Sequence, residues 1–227
     1  MKPFKDLFIL IKKDILNELK TGGALISMLI FSLLVVVIFS FTLESILSRV
    51  KELGAVLIWM TIIFASVIGL NYSFSVEKEN AAIKAVMLTP VDRGVIYMGK
   101  MLSNLIFILI IELFTVPVFL LFSNYPLMKV IPPLTIILML GTAGISSVGT
   151  ILSAISTSTK RRDILLPIIL FPIIIPVLIG SIRCTEIIFL GRSLRLEAGN
   201  WIAMLGAYDI LFIVVSFLIF EFVLEEL

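Results

Sequence analysis

Six apolar stretches, each long enough to cross a bilayer as a helix, occupy most of this chain of 227 residues. A hydrocarbon core of about 30 Å needs about 20 apolar residues in a helix. Hydrophobic residues make up 60% of the chain and charged residues 15%. The pattern predicts an all-α integral membrane protein whose residues 1–227 form a single transmembrane domain. The predicted crossings are residues 22–43, 54–75, 98–122, 131–157, 164–181 and 201–223.

Lysine and arginine are distributed unevenly between the predicted loops. Twelve of the 18 lie in residues 1–20, 76–100 and 158–163, and six lie in the loops of the opposite side. Loops rich in these residues stay in the cytoplasm. The sequence therefore predicts a multi-pass protein with both termini in the cytoplasm.

Residues 1–20 have the pattern of an amphipathic helix that precedes the first crossing. Such a helix lies in the membrane interface with its apolar stripe in the lipid. An alternative is that it packs on a cytoplasmic partner subunit. The stripe consists of Phe4, Leu7, Phe8, Ile11, Ile15 and Leu19, and the residues off the stripe include Lys5, Lys12, Lys13, Asp14 and Asn17.

The segment 76–97 between the second and third crossings is the most highly charged loop. Residues 77–88 have helical composition, and Pro90 disfavours helix at Thr89. Thr89 is a candidate N-cap for a second helix that begins at Pro90. We expect a cytoplasmic coupling segment that receives force from a soluble motor; the alternative is an ordinary solvated loop. The candidate coupling residues are Glu77, Lys78, Glu79, Pro90, Asp92 and Arg93.

Two carboxyl groups fall inside predicted crossings. An ionisable side chain at the centre of a transmembrane helix costs at least about 2.5 kcal/mol, so Glu112 and Asp209 should face the protein interior. They either line a cavity or stabilise a moving helix pair, or they are structural carboxyls held by hydrogen bonds or protonation. The sequence leaves both interpretations open.

Proline and small residues distinguish two further crossings. Pro167, Pro172 and Pro176 each remove a backbone donor from the fifth crossing, which predicts a kinked helix packed inside the bundle, a candidate hinge. The fourth crossing is predicted to be a packing face because small residues let helices approach closely. Its small residues are Gly141, Gly144, Ser146, Ser147, Gly149 and Ser153.

Several signatures of chemistry are absent from the sequence. It contains no histidine, a single cysteine and no G-x-x-x-x-G-K-[ST] phosphate loop. No catalytic constellation, metal-ligand cluster or basic nucleic-acid patch is present. We expect no catalytic or metal site, and any ATP must be bound by another chain.

The segments EKE (77–79), LTPVDR (88–93) and GK (99–100) resemble the second-to-third crossing loop of ABC-2 type export permeases. Three further segments resemble the CcmB family, the heme exporter protein B permeases of the cytochrome c maturation system. These are RRDILLPIILFPIIIPVLI (161–179), WIAMLGAYD (201–209) and FEFVLEE (220–226).

The resemblance implies an ABC-2 (type V) exporter-like permease in a bacterial inner membrane. Its function would be to couple ATP hydrolysis by a separate subunit to heme export or to release of a heme-loaded chaperone. The implied partners are a CcmA-like ATP-binding subunit, CcmC-, CcmD- and CcmE-like heme-handling proteins, a second permease copy and membrane lipid. Heme is then a cargo and not a bound cofactor, because histidine, the commonest protein ligand of heme iron, is missing. An ABC-2 exporter of glycan, lipid or drug is the alternative.

Overall fold

The computed structural model describes residues 2–43, 50–79, 91–123, 125–157 and 162–225. Within these ranges every regular element is an α-helix. The eight helices are α1 (Lys2–Thr21), α2 (Gly23–Leu43), α3 (Val50–Glu79), α4 (Arg93–Phe122), α5 (Leu127–Thr157), α6 (Arg162–Phe189), α7 (Leu194–Glu197) and α8 (Gly199–Glu225).

Five of these helices, α3 to α6 and α8, are long and apolar enough to cross a membrane. The pair α1 and α2, bent by 69° where they meet, provides up to a sixth crossing. Helix α2 has 21 residues without a charge, which is about 31 Å of helix. The prediction of an all-helical membrane protein with an amphipathic helix before the first crossing is confirmed.

Contacts near the helix ends show that successive long helices run antiparallel. At one end of the bundle, near the start of α4 and the end of α8, the rings of Tyr97 and Phe220 lie 5.4 Å apart. At the opposite end the ring of Phe189 lies 4.4 Å from that of Tyr125 and 6.4 Å from that of Phe119. The α3–α4 connection and the α7 segment therefore lie at opposite ends of the molecule.

Helix α5 is the centre of the bundle and packs against α3, α4, α6 and α8. A Cβ atom at Gly141 would collide with the ring of Trp59 on α3 and would lie 2.7 Å from Oγ of Ser181 on α6. A Cβ atom at Gly149 would collide with Leu70. The prediction of a packing face is confirmed, and the small residues serve several neighbouring helices at once.

Several helices extend beyond the predicted crossings, and the largest difference is at the end of α6. Helix α6 continues to Phe189 rather than ending at residue 181, so residues 182–189 are not part of an outer loop. Its last turns are amphipathic: Arg183 pairs with Glu186 on the exposed side, while Cys184 and Ile188 are buried. The prediction ended this helix too early because it took the charges of Arg183 and Glu186 as the end of the apolar run. The connection between α6 and α7 is short and turns at Gly191, whose φ of 69° favours glycine.

The prolines of α6 lie on the outer side of the bundle. Pro172 and Pro176 are exposed, whereas Leu170, Ile174 and Val177 on the other side are buried. The predicted packing of this crossing inside the bundle agrees with the contacts of α6 with α3, α5 and α8, but Pro172 and Pro176 point away from those helices, because the buried side is filled by branched aliphatic residues. The hydroxyl of Tyr208 donates to the carbonyl of Ile173 at 2.9 Å, within the proline-rich stretch.

The close approach at Gly141 predicts a specific cost of adding one methyl group. We expect Gly141→Ala to lower stability by about 1–3 kcal/mol, because the ring of Trp59 must move from its fully buried site. For a protein of this size the apparent Tm in detergent should fall by roughly 2–10 °C. The matched control is Gly206→Ala on α8, where an added Cβ atom meets nothing within 4 Å. Equal Tm values for the two variants would contradict the central placement of α5.

Candidate functional site

The predicted coupling residues lie at the end of the bundle where α3 ends and α4 begins. Glu77, Lys78 and Glu79 belong to the last turn of α3, so the chain up to residue 79 continues the second crossing. The prediction that a separate helix begins at residue 77 is therefore wrong. Residues 80–90, including Thr89 and Pro90, lie outside the described part of the chain.

Asp92 caps the N-terminus of α4. Its side chain accepts a hydrogen bond of 2.8 Å from the backbone N–H of Gly94, and the helix begins at Arg93. The predicted start at Pro90 with Thr89 as N-cap is thus wrong, since Asp92 supplies the capping oxygen three residues later.

Arg93 connects the first turn of α4 to the last turns of α8. Its Nη1 atom donates to the backbone carbonyl of Glu221 at 3.3 Å and lies 3.7 Å from the carboxylate of that residue. A Cβ atom at Gly94 would collide with the ring of Phe217, also on α8. The start of α4 is therefore in direct contact with the end of α8.

A buried ion pair holds α1 on α4. The Nζ atom of Lys100 lies 2.9 Å from Oδ2 of Asp14, and both side chains are only 8% exposed. Lys13 contacts the other oxygen of Asp14 at 3.3 Å. Close packing accompanies the pair, because a Cβ atom at Gly99 would lie 3.0 Å from Cβ of Leu10.

A second acid of α1 controls the turn into α2. The buried carboxylate of Glu18 accepts a hydrogen bond of 2.8 Å from the backbone N–H of Leu25, in the first turn of α2. Helix N-termini favour such a negative charge. Gly22, whose φ of 64° favours glycine, forms the bend between the helices. Together Glu18 and Gly22 define the angle between α1 and the first crossing.

The sequence prediction placed Asp14 on the solvated side of α1, and the structure contradicts this. Asp14 is buried because the side of α1 that packs on α4 adjoins the predicted apolar stripe, shares Leu7 with it and also includes acids. The residues of this side are spaced three and four positions apart, as on one face of a helix. Because two of them are acids, the pattern of apolar residues did not reveal it. This side consists of Leu7, Leu10, Asp14 and Glu18.

Glu112 lies deep in the bundle and is 2% exposed. Its Oε1 atom accepts a hydrogen bond from the hydroxyl of Thr142, the middle residue of α5. Its Oε2 atom is buried and makes no hydrogen bond. Other polar contacts also join α4 and α5, including the amide of Asn104, which donates to Thr150 at 3.0 Å.

Asp209 lies at the junction of α5, α6 and α8 and is 6% exposed. Its Oδ1 atom makes no hydrogen bond and would lie 2.8 Å from a Cβ atom at Gly144. Gly144 is two residues from Thr142, which is about 3 Å along the axis and about 200° around it. Asp209 and Glu112 therefore lie at nearly the same depth on opposite sides of α5, and the structure does not bring them together.

A small cavity lies between α2, α3 and α4, lined in part by Ser66, Gly69 and Asn104. It has room for about one water molecule, whereas sites for drug-sized ligands are about 300–1,000 Å³. Neither Glu112 nor Asp209 lines it. Within the described part of the chain, no three His, Cys, Asp or Glu side chains are grouped in a way that could hold a metal ion.

These features define a class of protein: a multi-pass helical membrane protein with charged helix ends on the α3–α4 side and isolated carboxyl groups at mid-depth. Comparison with known families then assigns it further. The chain belongs to the CcmB protein family, whose model matches residues 5–225.

Three curated relatives, each called heme exporter protein B, match most of the chain. The protein from Bradyrhizobium diazoefficiens is 24% identical over 185 residues, 82% of this chain and 83% of the relative. The protein from Rhodobacter capsulatus is 24% identical over 170 residues, with coverage of 75% and 78%. The protein from Pseudomonas aeruginosa is 26% identical over 151 residues, with coverage of 66% and 67%.

The ion pair between α1 and α4 predicts a non-additive effect of mutation. Asp14→Asn removes the carboxylate from buried Lys100, so we expect a loss of about 3–5 kcal/mol, and Lys100→Met should be comparably harmful. The double variant should regain much of the loss. Thermal unfolding of the four purified proteins in one detergent measures this cycle.

Arg183→Gln provides the control for that cycle, because it breaks an exposed ion pair with Glu186. Its expected cost is below about 1 kcal/mol. Single variants at Asp14 and Lys100 that match this control would show that the buried pair does not anchor α1.

Proposed function

We propose that this chain is the permease subunit of an ABC transporter complex for c-type cytochrome biogenesis in a bacterial inner membrane. ATP hydrolysis by a CcmA-like partner drives heme export or release of a heme-loaded chaperone. The observation that supports this most strongly is the family match over residues 5–225, together with relatives called heme exporter protein B. The absence of a phosphate loop from the sequence agrees with ATP binding by another chain.

The α3–α4 end of the bundle is the surface proposed to receive the ATP-binding subunit. Glu77, Lys78 and Glu79 extend α3 beyond its apolar portion, and Asp92 and Arg93 begin α4. Displacement of this end reaches α8 through the contacts of Arg93 with Glu221. It reaches α1 about two turns deeper, through Lys100 and Asp14. The segment 76–97, with Pro90, then acts as a coupling segment.

We propose that the two carboxyl groups and the prolines inside the membrane act where the helices move against one another. Glu112 and Asp209 contact opposite sides of α5, so a shift of α4 or α8 against α5 changes the surroundings of one carboxyl at a time. Pro167, Pro172 and Pro176 weaken the backbone ladder of α6 and provide its hinge. The hydrogen bond of Glu112 with Thr142 across the contact of α4 and α5 favours a role for this carboxyl in helix pairing.

The remaining assignments concern assembly and orientation. We propose that both termini and the α3–α4 connection lie in the cytoplasm, which the excess of lysine and arginine on one side supports. We propose that each copy of the chain forms one transmembrane domain and that two copies bind two ATP-binding subunits. This complex works with CcmC-, CcmD- and CcmE-like proteins. Heme is the proposed cargo.

Deletion of the gene tests the substrate class. In the deletion strain, staining of membranes for covalently bound heme should show a heme-loaded chaperone that accumulates and mature c-type cytochromes that disappear. A plasmid copy of the wild-type gene should restore the cytochromes. Normal c-type cytochromes in an organism without a second copy would contradict the proposal and favour an ABC-2 exporter of glycan, lipid or drug.

Charge reversal tests the coupling surface. We expect Glu77→Lys or Glu79→Lys to abolish cytochrome maturation and to change ATP turnover of the complex while the permease remains in the membrane. The matched control is Glu197→Lys on α7, an exposed acid at the opposite end of the bundle. Unaltered ATP turnover and maturation in both α3 variants would overturn the assignment of this surface.

A further inference from the structure

In the second half of α1 the acids are buried and the lysines reach the surface, whereas Asp6 in the first half is partly exposed. The acids Asp14 and Glu18 face inward, where one binds Lys100 and the other caps α2. Lys5, Lys12 and Lys20 face outward and are exposed. The acids of the second half of α1 thus cannot neutralise the outer surface, which is basic although the sequence of the helix alternates in sign.

The exposed lysines lie within an apolar surface. Lys5 and Lys12 are seven residues apart and therefore share one face of the helix. Exposed apolar side chains flank that face on both sides. They are Phe8 and Leu19 on one side, 68% and 70% exposed, and Ile9 and Leu16 on the other, 52% and 45% exposed.

This arrangement is unfavourable in water and fits the boundary between lipid chains and headgroups. Lysine at such a boundary extends its charged end to the phosphates while its alkyl stem contacts apolar groups. The bend between α1 and α2 is 69°, so α1 lies about 20° from the membrane plane when α2 crosses along the normal. The exposed surface is therefore oriented along the headgroup layer and not across it.

We propose that the outer face of α1 is a binding surface for anionic phospholipid, with Lys5, Lys12 and Lys20 contacting the phosphates. The lipid stabilises α1 in its position on α4. A protein partner is less well matched, because the apolar side chains and lysines alternate around the exposed arc without forming one continuous groove. This inference does not depend on the cargo of the complex.

Lipid titration of the purified protein in detergent tests the proposal. Native mass spectrometry measures binding of added phosphatidylglycerol and, separately, phosphatidylcholine. Each lysine near an anionic surface contributes about fivefold in affinity. We expect the wild-type preference for phosphatidylglycerol to fall on the order of a hundredfold in the triple variant Lys5→Gln/Lys12→Gln/Lys20→Gln.

Three controls make the result specific. Lys129→Gln removes an exposed lysine at the opposite end of the bundle and should leave the preference unchanged. The triple variant should keep the wild-type Tm in phosphatidylcholine, which excludes unfolding as the cause. Inorganic phosphate at the same concentration should not raise the Tm of the wild-type protein, because the apolar flanks require an acyl chain.

An unchanged lipid preference in the triple variant would overturn the proposal. Loss of co-purification with the ATP-binding subunit, with lipid preference intact, would equally overturn it and assign the face to a protein partner. A drop in the preference with Lys129→Gln as large as that with Lys12→Gln would show that lysines bind anionic lipid without regard to position.

Discussion

Backbone contact along α5 is the constraint on which the rest of the structure depends. Gly141, Gly144 and Gly149 let Trp59, Asp209 and Leu70 approach the backbone of α5 within a distance that any side chain would block. In a bilayer, association of helices relies on such packing because lipid is as apolar as the helix surfaces. The central position of α5 therefore follows from its small residues and brings α3, α4, α6 and α8 into one bundle.

The polar groups of the bundle show how it accommodates charge in an apolar medium. Asp14 and Lys100 neutralise each other between α1 and α4. Glu18 is held by the N-terminus of α2, and Glu112 by the hydroxyl of Thr142. Each of these contacts joins two different helices or the two arms of the α1–α2 bend. A change in helix position therefore alters the surroundings of a charged or polar group, which gives the proposed ATP-driven cycle a set of discrete contacts to exchange.

The two ends of the bundle differ in the contacts that join their helices. At the α3–α4 end, Arg93 connects α4 to α8, and Lys100, about two turns further along α4, connects it to α1. At the other end, the ring of Phe189 on α6 packs against those of Phe119 on α4 and of Tyr125 in the connection that follows α4. Burial raises the pKa of the Tyr125 phenol in this connection. The first end is suited to receive force through charged contacts, and the second is held by aromatic packing.

Much of this fold could be predicted from the sequence, because the thickness of the bilayer sets the length that an apolar run needs to cross it as a helix. The burial of Glu112 and Asp209 followed from the cost of charge in lipid. Their separation by α5 could not be predicted, since it depends on which face each helix presents. The Asp14–Lys100 pair was missed because its members are distant in sequence and each resembles a surface charge. The end of α6 was missed because Arg183 and Glu186 satisfy each other on one side of a helix that continues.

The most direct test of the central claim, that the α3–α4 end receives a soluble ATP-binding subunit, is site-specific photo-crosslinking in intact membranes. A photoreactive amino acid is placed at Lys78 or, as the reference, at Leu196, which is 85% exposed at the opposite end of the bundle. The account predicts capture of the ATP-binding subunit from position 78 and not from position 196. Capture from position 196 and not from position 78 would contradict it.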